Sequence, residues 1–248
     1  MKPLFDYRFF HFLSKIKSQP RGHRKLFKKL SWLLRWKIVT VPLCLIERIL
    51  AILSYIPIPL SYLIVKSMTG FAGYYVRAIY YSIRAKHWEG NIIVDEDVIF
   101  ENIGEYEFGE FIQIDKRVII GCKSLLIGKG VHIAMGVIIG KGGHVSLLDF
   151  SGLSYGCILI PCSEKISHRC GPMIPYGERK IVSGTIILEK ESIVFSGGIV
   201  LPYTIIGQGS VISAGCIAKG LIKDWKIMFM DAVKKREKII SKEPDYKT

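Results

Sequence analysis

Acidic residues are almost missing from the first ninety positions, where Asp6, Glu47 and Glu89 face 16 Lys and Arg, a local net charge of +13. Residues 91–248 hold 19 basic against 18 acidic side chains, so the formal +14 of the chain belongs to its N-terminal segment alone. A charge confined to one end argues against a chain that coats nucleic acid along its length, and no nucleic-acid partner is expected. Any Cys-x-x-Cys pair is also missing. The six cysteines, Cys44, Cys122, Cys157, Cys162, Cys170 and Cys216, lie at irregular spacings with no cleavable signal peptide in evidence, which points to free thiols in a reducing, cytoplasmic setting. Cys162 and Cys170 flank His168, but a fourth ligand is not evident and no metal is expected.

An unbroken apolar stretch that comfortably spans a bilayer is absent too. Ile49 to Val65 is uncharged over 17 residues, near the lower limit, and Pro57 and Pro59 interrupt it. Around it the chain reads as amphipathic helices. Phe9, Phe12, Leu13 and Ile16, then Leu26, Phe27, Leu30, Leu33 and Leu34, recur at helical spacing among lysines and arginines, with Trp32 and Trp36 four apart. Helical pieces meeting at Ile56-Pro57-Ile58-Pro59 beside a lysine-rich face suit an interfacial element on anionic lipid. The alternative is packing on one another or on a partner subunit. A further helix is expected over Gly70 to Lys86, so residues 1–90 form a basic, apolar helical segment that associates with membrane or oligomerises.

From Val98 to Lys219 the period changes to six. Phe108, Ile114 and Ile120 are followed, after a one-residue slip, by Ile127, Ile133, Ile139 and Val145, then by Leu147, Leu153 and Leu159. The longest series is Leu188, Val194, Val200, Ile206, Ile212 and Ala218; two residues before each stands Ile186, Ser192, Gly198, Thr204, Ser210 or Cys216, mostly small. Strand side chains alternate with period two, so six-residue rungs keep the same positions inward and stack into a continuous column. A helical face needs a period near 3.6 and cannot collect residues spaced by six. The reading is a mainly β chain with a parallel β-helix over residues 91–222 and a C-terminal helix and tail over 223–248. The register is lost between Ile160 and Gly184, where Pro161, Pro172, Pro175, Gly171 and Gly177 gather, so residues 160–184 leave the coil as a loop. Long loops on rigid scaffolds are disproportionately functional, and this one carries His168 with Glu164, Arg169, Glu178 and Arg179.

The run Ile193-Val194-Phe195-Ser196-Gly197-Gly198-Ile199-Val200-Leu201-Pro202-Tyr203-Thr204-Ile205-Ile206-Gly207 resembles the Trp-Ile-Gly-x-Gly-Ala-x-Ile-Leu-Pro-Gly-Val-x-Ile-Gly pattern of the left-handed β-helix hexapeptide-repeat acyltransferases. Val211-Ile212-Ser213-Ala214-Gly215-Cys216 is similar to the Val-Ile-Gly-Ala-Gly-Ser that follows it. Asp149-Phe150-Ser151-Gly152-Leu153-Ser154 and the tyrosine-arginine stretch Gly73 to Arg84 resemble the branch that modifies sugars of bacterial surface polysaccharides. The resemblance implies a left-handed coil, a homotrimer, and acetyl-CoA as co-substrate in the groove between coils. It also implies a sugar acceptor, nucleotide- or lipid-linked, and a loop histidine, here His168, as general base. A neutral imidazole can take the proton of an attacking hydroxyl or amine at neutral pH.

Carried over by position, Ser196 and Gly197 fall beside the pantetheine arm, and Ala214 and Lys219 near the distal end of CoA. Phe195 and Tyr203 stand where the family usually has glycine, and Phe229-Met230-Asp231-Ala232-Val233 replaces the usual Gly-Asn-Pro-Ala-Lys; bulk there is expected to reshape the groove. The leading expectation is a cytoplasmic acetyltransferase held on the inner face of a bacterial plasma membrane. A non-catalytic β-helix scaffold is the alternative. His132 and His144 precede inward residues and are expected to point outward from different faces of one coil. A zinc site of the carbonic-anhydrase kind could then form only between chains.

Overall fold

The computed structural model describes residues 4–6, 8, 10–11, 21–36, 39, 42–47, 49, 65–165, 178–229 and 232–235. Among the described residues, the chain from His87 to Phe229 is a parallel β-solenoid whose three sheets hold seven, eight and six strands, one of the eight being a final antiparallel strand. One turn shows the plan: Ser124–Ile127 lies in the first sheet, His132–Ile133 in the second and Ile138–Ile139 in the third. Turns stack in parallel register, so Phe108, Ile127, Leu147, Leu188, Ile206 and Ile222 form one inward column on the first sheet. Each turn adds two more large residues six apart, such as Ile133 and Ile139 or Val194 and Val200, all fully buried. Burying one such side chain is worth roughly 1.5–3 kcal/mol, so the repeated triplet is the main stabilising term of the coil.

The smaller inward positions are polar where the chain can satisfy them. Ser192, Thr204 and Ser210 are buried, and their hydroxyls donate to the carbonyls of Glu189, Leu201 and Lys223 at 2.7, 2.7 and 2.8 Å. Buried cysteines behave as small core residues. Burial pushes the Cys122 thiol up to about 12 and raises that of Cys157, which makes neither a nucleophile at neutral pH.

Length changes are confined to one corner. Between the first and second sheets, and between the second and third, large inward residues are always six apart, as in Ile127, Ile133 and Ile139. The corner from the third sheet back to the first absorbs every insertion: a 3₁₀ turn at Ile103–Glu105, the glycine pair Gly142 and Gly143, and the loop that starts after Leu159. This corrects one reading of the repeat. Val145 does not continue the column of Ile139; it pairs with Leu125 and Ile186 at the smaller inward position, while Leu147 carries the large column on from Ile127.

Two helices, α1 (Arg21–Leu33) and α2 (Gly70–Ser82), cover the start of the coil. The buried Arg77 guanidinium ties α2 down: Nε donates to the Val94 carbonyl at 2.7 Å, and Nη1 donates to those of Met68 and Val65 at 2.6 and 3.2 Å. α1 packs through Phe27, Leu30 and the following Leu34 on a cluster of Phe5, Phe10, Ala78 and Phe111. Most of the apolar run ending at Val65, with Pro57 and Pro59, lies outside the described residues. Among those described, no helix is long and apolar enough to cross a membrane.

Of the segment 223–248, expected as a helix and tail, the described part is strand: Lys226–Phe229 adds to the second sheet, with Ile227 and Met228 in register with Val211 and Ile212. Ala232–Lys235 then turns back antiparallel against it. The exposed edge of the last coil offers unpaired backbone groups, and satisfying them outweighs the local helical preference of a lysine-rich segment. Residues 236–248 lie outside the described part.

Candidate functional site

The second corner, between the second and third sheets, carries three of the four residues expected to hold CoA. Gly136, Gly156, Gly197 and Gly215 stack there in successive turns, each with φ between 64° and 75°. Their amides are linked up the coil: Gly156 N donates to Met135 O at 3.2 Å, Gly197 N to Tyr155 O at 2.9 Å and Gly215 N to Ser196 O at 3.0 Å. A Cβ at any of the four would have positive-φ strain but meet nothing within 4 Å, so the glycines form an uncovered strip of backbone, flanked by the exposed Met135 and Tyr155. The first corner differs: there Phe150 lies over Gly130 and Trp225 over Gly209, filling the equivalent space.

Ser196, Gly197 and Ala214 therefore lie together, exposed, on adjacent turns of this strip. Lys219 does not join them; it follows the strand Ile217–Ala218 and sits at the opposite edge of the third sheet. Phe195 is exposed at the same corner and leaves the glycine strip uncovered. Tyr203 takes the left-handed conformation itself, at φ 62°, and lays its ring across Gly184 while its hydroxyl donates to Ser183 O at 2.8 Å. Its bulk clamps the base of the loop and does not reach the glycine strip.

His168 lies outside the described residues. The loop that carries it leaves the third corner through an antiparallel ladder, Cys162–Glu164 with Ile181–Ser183, braced by Arg179 Nη1 on Glu164 Oε1 at 2.9 Å. Loop base and glycine strip therefore occupy opposite edges of the third sheet. Outward along that sheet run six isoleucines in register, Ile99, Ile119, Ile138, Ile158, Ile199 and Ile217. Ile138 and Ile217 are 38% and 54% exposed. A solvated face normally alternates to polar residues, so this ladder is an apolar surface awaiting cover.

A second group of chemical interest went unnoticed in the sequence. His132 Nε2 stands 3.0 Å from Asp115 Oδ2, and Asp115 Oδ1 accepts a 2.8 Å hydrogen bond from Gln113 Nε2. Burial alone would raise the Asp115 carboxyl, but hydrogen bonds from His132 and Gln113 and the backbone near Met135 together hold it below the usual carboxylate range. An ionised carboxylate only accepts, so His132 Nε2 is the donor of this pair.

Directly above His132 in the register is Gly152, and then Ile193; a Cβ at Gly152 would meet only His132 O at 3.8 Å and an Ile193 carbon at 4.0 Å. His132 thus borders a notch in the second sheet and lies two turns, roughly 10 Å at the usual strand spacing, below Ile193. The signal was in the register: Asp115 and His132 are 17 residues apart, close to one full turn. His144 also points outward, with Nδ1 2.6 Å from Ser124 Oγ on the first sheet, so the two histidines occupy different faces as expected. Among the described residues no group of three or more His, Cys, Asp or Glu comes together.

No family model matches the chain. A dTDP-4-amino-4,6-dideoxy-D-glucose acyltransferase of Escherichia coli is 28% identical in an alignment of 149 positions that takes in 50% of this chain and 77% of that relative. The crystal structure of AntD, an N-acyltransferase from Bacillus cereus in complex with dTDP and 3-hydroxybutyryl-CoA, superposes with a TM-score of 0.57 and 25% identity. It covers 63% of this chain and 86% of AntD. A hexapeptide-repeat acetyltransferase from Vibrio cholerae complexed with acetyl-CoA shares the fold, at a TM-score of 0.50 and 12% identity over 76% of this chain and 84% of its own.

Proposed function

We propose that this chain is a CoA-dependent sugar acyltransferase that moves an acyl group, acetyl in the simplest case, from the thioester to an amino or hydroxyl group of a nucleotide-linked sugar used for surface polysaccharide. The observation that carries the reading is the likeness, over 50% and 63% of this chain, to two acyltransferases whose names or bound ligands contain dTDP or a dTDP-amino sugar. The glycine strip supports it: an extended thioester arm needs a long floor of accessible backbone, and Ser196, Gly197 and Ala214 line such a floor beside the exposed Tyr155 and Phe195.

The isoleucine ladder supports assembly as a homotrimer. Covering it with a second copy removes an apolar face from water and closes the open strip into a cleft. Within that cleft the acceptor amine or hydroxyl attacks the thioester carbonyl. A histidine takes its proton, and collapse of the tetrahedral intermediate expels the CoA thiolate, which is protonated in turn.

Resemblance assigns the base to His168. Among the described residues the alternative is His132, whose imidazole is oriented by Asp115 and which stands in register with Gly152. The test is release of free CoA from acetyl-CoA in the presence of dTDP-4-amino-4,6-dideoxyglucose and other nucleotide sugars. Turnover with at least one is expected; absence of both turnover and heat of CoA binding in calorimetric titration leaves the scaffold reading standing.

A further inference from the structure

We propose that the outermost ridge of α1 and the residues just beyond it docks on an anionic lipid surface. The helix buries one side, with Ser31 and Leu34 buried and Phe27 and Leu30 half-buried against the phenylalanine cluster. Lys25, Lys29, Trp32 and Trp36 follow at spacings of four, three and four, which places them in one row on the opposite side. Trp32 and Trp36 are 60% and 56% exposed, and their rings touch edge to face with centroids 6.0 Å apart.

Indoles with a solvating helix face available to them are an unusual choice for the row farthest from the core. Their amphipathic rings are best accommodated at the headgroup level of a bilayer. Leu26 and Leu33 extend the apolar surface along one flank of the row, and Lys28 lies on the other; all are exposed. Leu45, Ile46, Ile49 and Phe71, also exposed, belong to the same N-terminal unit.

Charge decides between a lipid and a protein partner. Residues 1–90 carry the net +13 while the coil is nearly neutral, so attraction to a negatively charged sheet acts on this end of the molecule and not on its flanks. Rings that insert and lysines that remain at the phosphates divide the work as interfacial helices do. The coil would then stand with its first turn toward the lipid and its acyl-transfer corner in the aqueous phase.

The proposal is independent of the enzymatic reading, and the experiment keeps them apart. Full-length protein is floated with vesicles of phosphatidylcholine alone or of phosphatidylcholine with phosphatidylglycerol, while tryptophan emission is recorded. Binding is expected only with the anionic vesicles, with a blue shift of the emission and a loss of binding at high salt. Trp32→Ala/Trp36→Ala should lower the partition coefficient at least tenfold and abolish the shift, and Lys25→Glu/Lys28→Glu/Lys29→Glu should do the same through charge. Acyl transfer to a soluble nucleotide sugar without vesicles should be equal in wild type and the tryptophan variant, whose substitutions lie at exposed positions. Wild-type protein that stays in solution with anionic vesicles overturns the proposal, as does a tryptophan variant that floats like wild type. A tryptophan variant that instead loses an oligomeric state seen in wild type without lipid assigns the face to a protein contact and overturns it equally.

Discussion

Single residues divide the chemistry between two histidines. If His132 is the base, His132→Ala should lower kcat by about 10²–10⁴-fold with little change in KM for acyl-CoA, the usual range for a lost general base. Asp115→Asn should fall between that variant and wild type, because it removes the orienting negative charge and leaves the imidazole. A His168→Ala variant that loses activity while His132→Ala keeps it returns the role to the loop. Steady-state rates across pH separate the two assignments, since only the base should take the acidic limb of the kcat profile with it. Asp115 also predicts a stability effect. Its carboxyl is held below the ordinary value in the folded chain, so its contribution is complete above the unfolded carboxyl value and is lost as pH falls through the depressed one. The gap in urea midpoint between wild type and Asp115→Asn should therefore persist from neutral into mildly acidic pH and close only in strong acid.

At the level of strands and corners, the same positive-φ position serves two purposes. On the first corner it lets an aromatic ring settle over a glycine, as Trp225 does over Gly209; on the second it leaves nothing but backbone at Gly156 and Gly197. Alanine at either kind of corner bears left-handed strain of about 1–2 kcal/mol. At Gly209 the new Cβ would also sit 2.6 Å from the Trp225 ring. Gly209→Ala should thus lower the urea midpoint clearly more than Gly156→Ala does. The reverse order would mean that the second corner is covered by something not expected there. Tyr203 shows a third use of the conformation, holding the start of the resumed coil through Gly184 and Ser183, which explains why a bulky residue is tolerated in that place.

For the whole molecule, the isoleucine ladder is the feature that a lone coil leaves unresolved. Ile158→Glu/Ile199→Glu puts two charges in the middle of that face and nothing new in the core. If copies meet on this face as proposed, sedimentation should show an oligomer for wild type and a monomer for the variant, with unchanged β-sheet circular dichroism. Activity should vanish with the oligomer if the acyl cleft forms between copies. A variant that remains oligomeric places the contact on another face.

The sequence by itself determined the solenoid, its inward columns and the place where the loop leaves. Those follow from a local rule: a six-residue rung presents the same two positions inward whatever lies above or below it, as Leu188, Val194 and Val200 do. The resemblance singled out Ser196 and Gly197 for one part of the donor and Ala214 with Lys219 for another; the fold puts Ser196, Gly197 and Ala214 on successive turns of one corner. Only the tertiary structure decided which residues from different turns become neighbours, since that depends on the insertions accumulated at the third corner. Val145 changed columns for this reason, and Asp115 met His132. The final strands formed because the coil left an unpaired edge, and Trp32 and Trp36 faced outward because the phenylalanine cluster claimed the other side of their helix. Neither the unpaired edge nor the claimed side exists until the coil has closed.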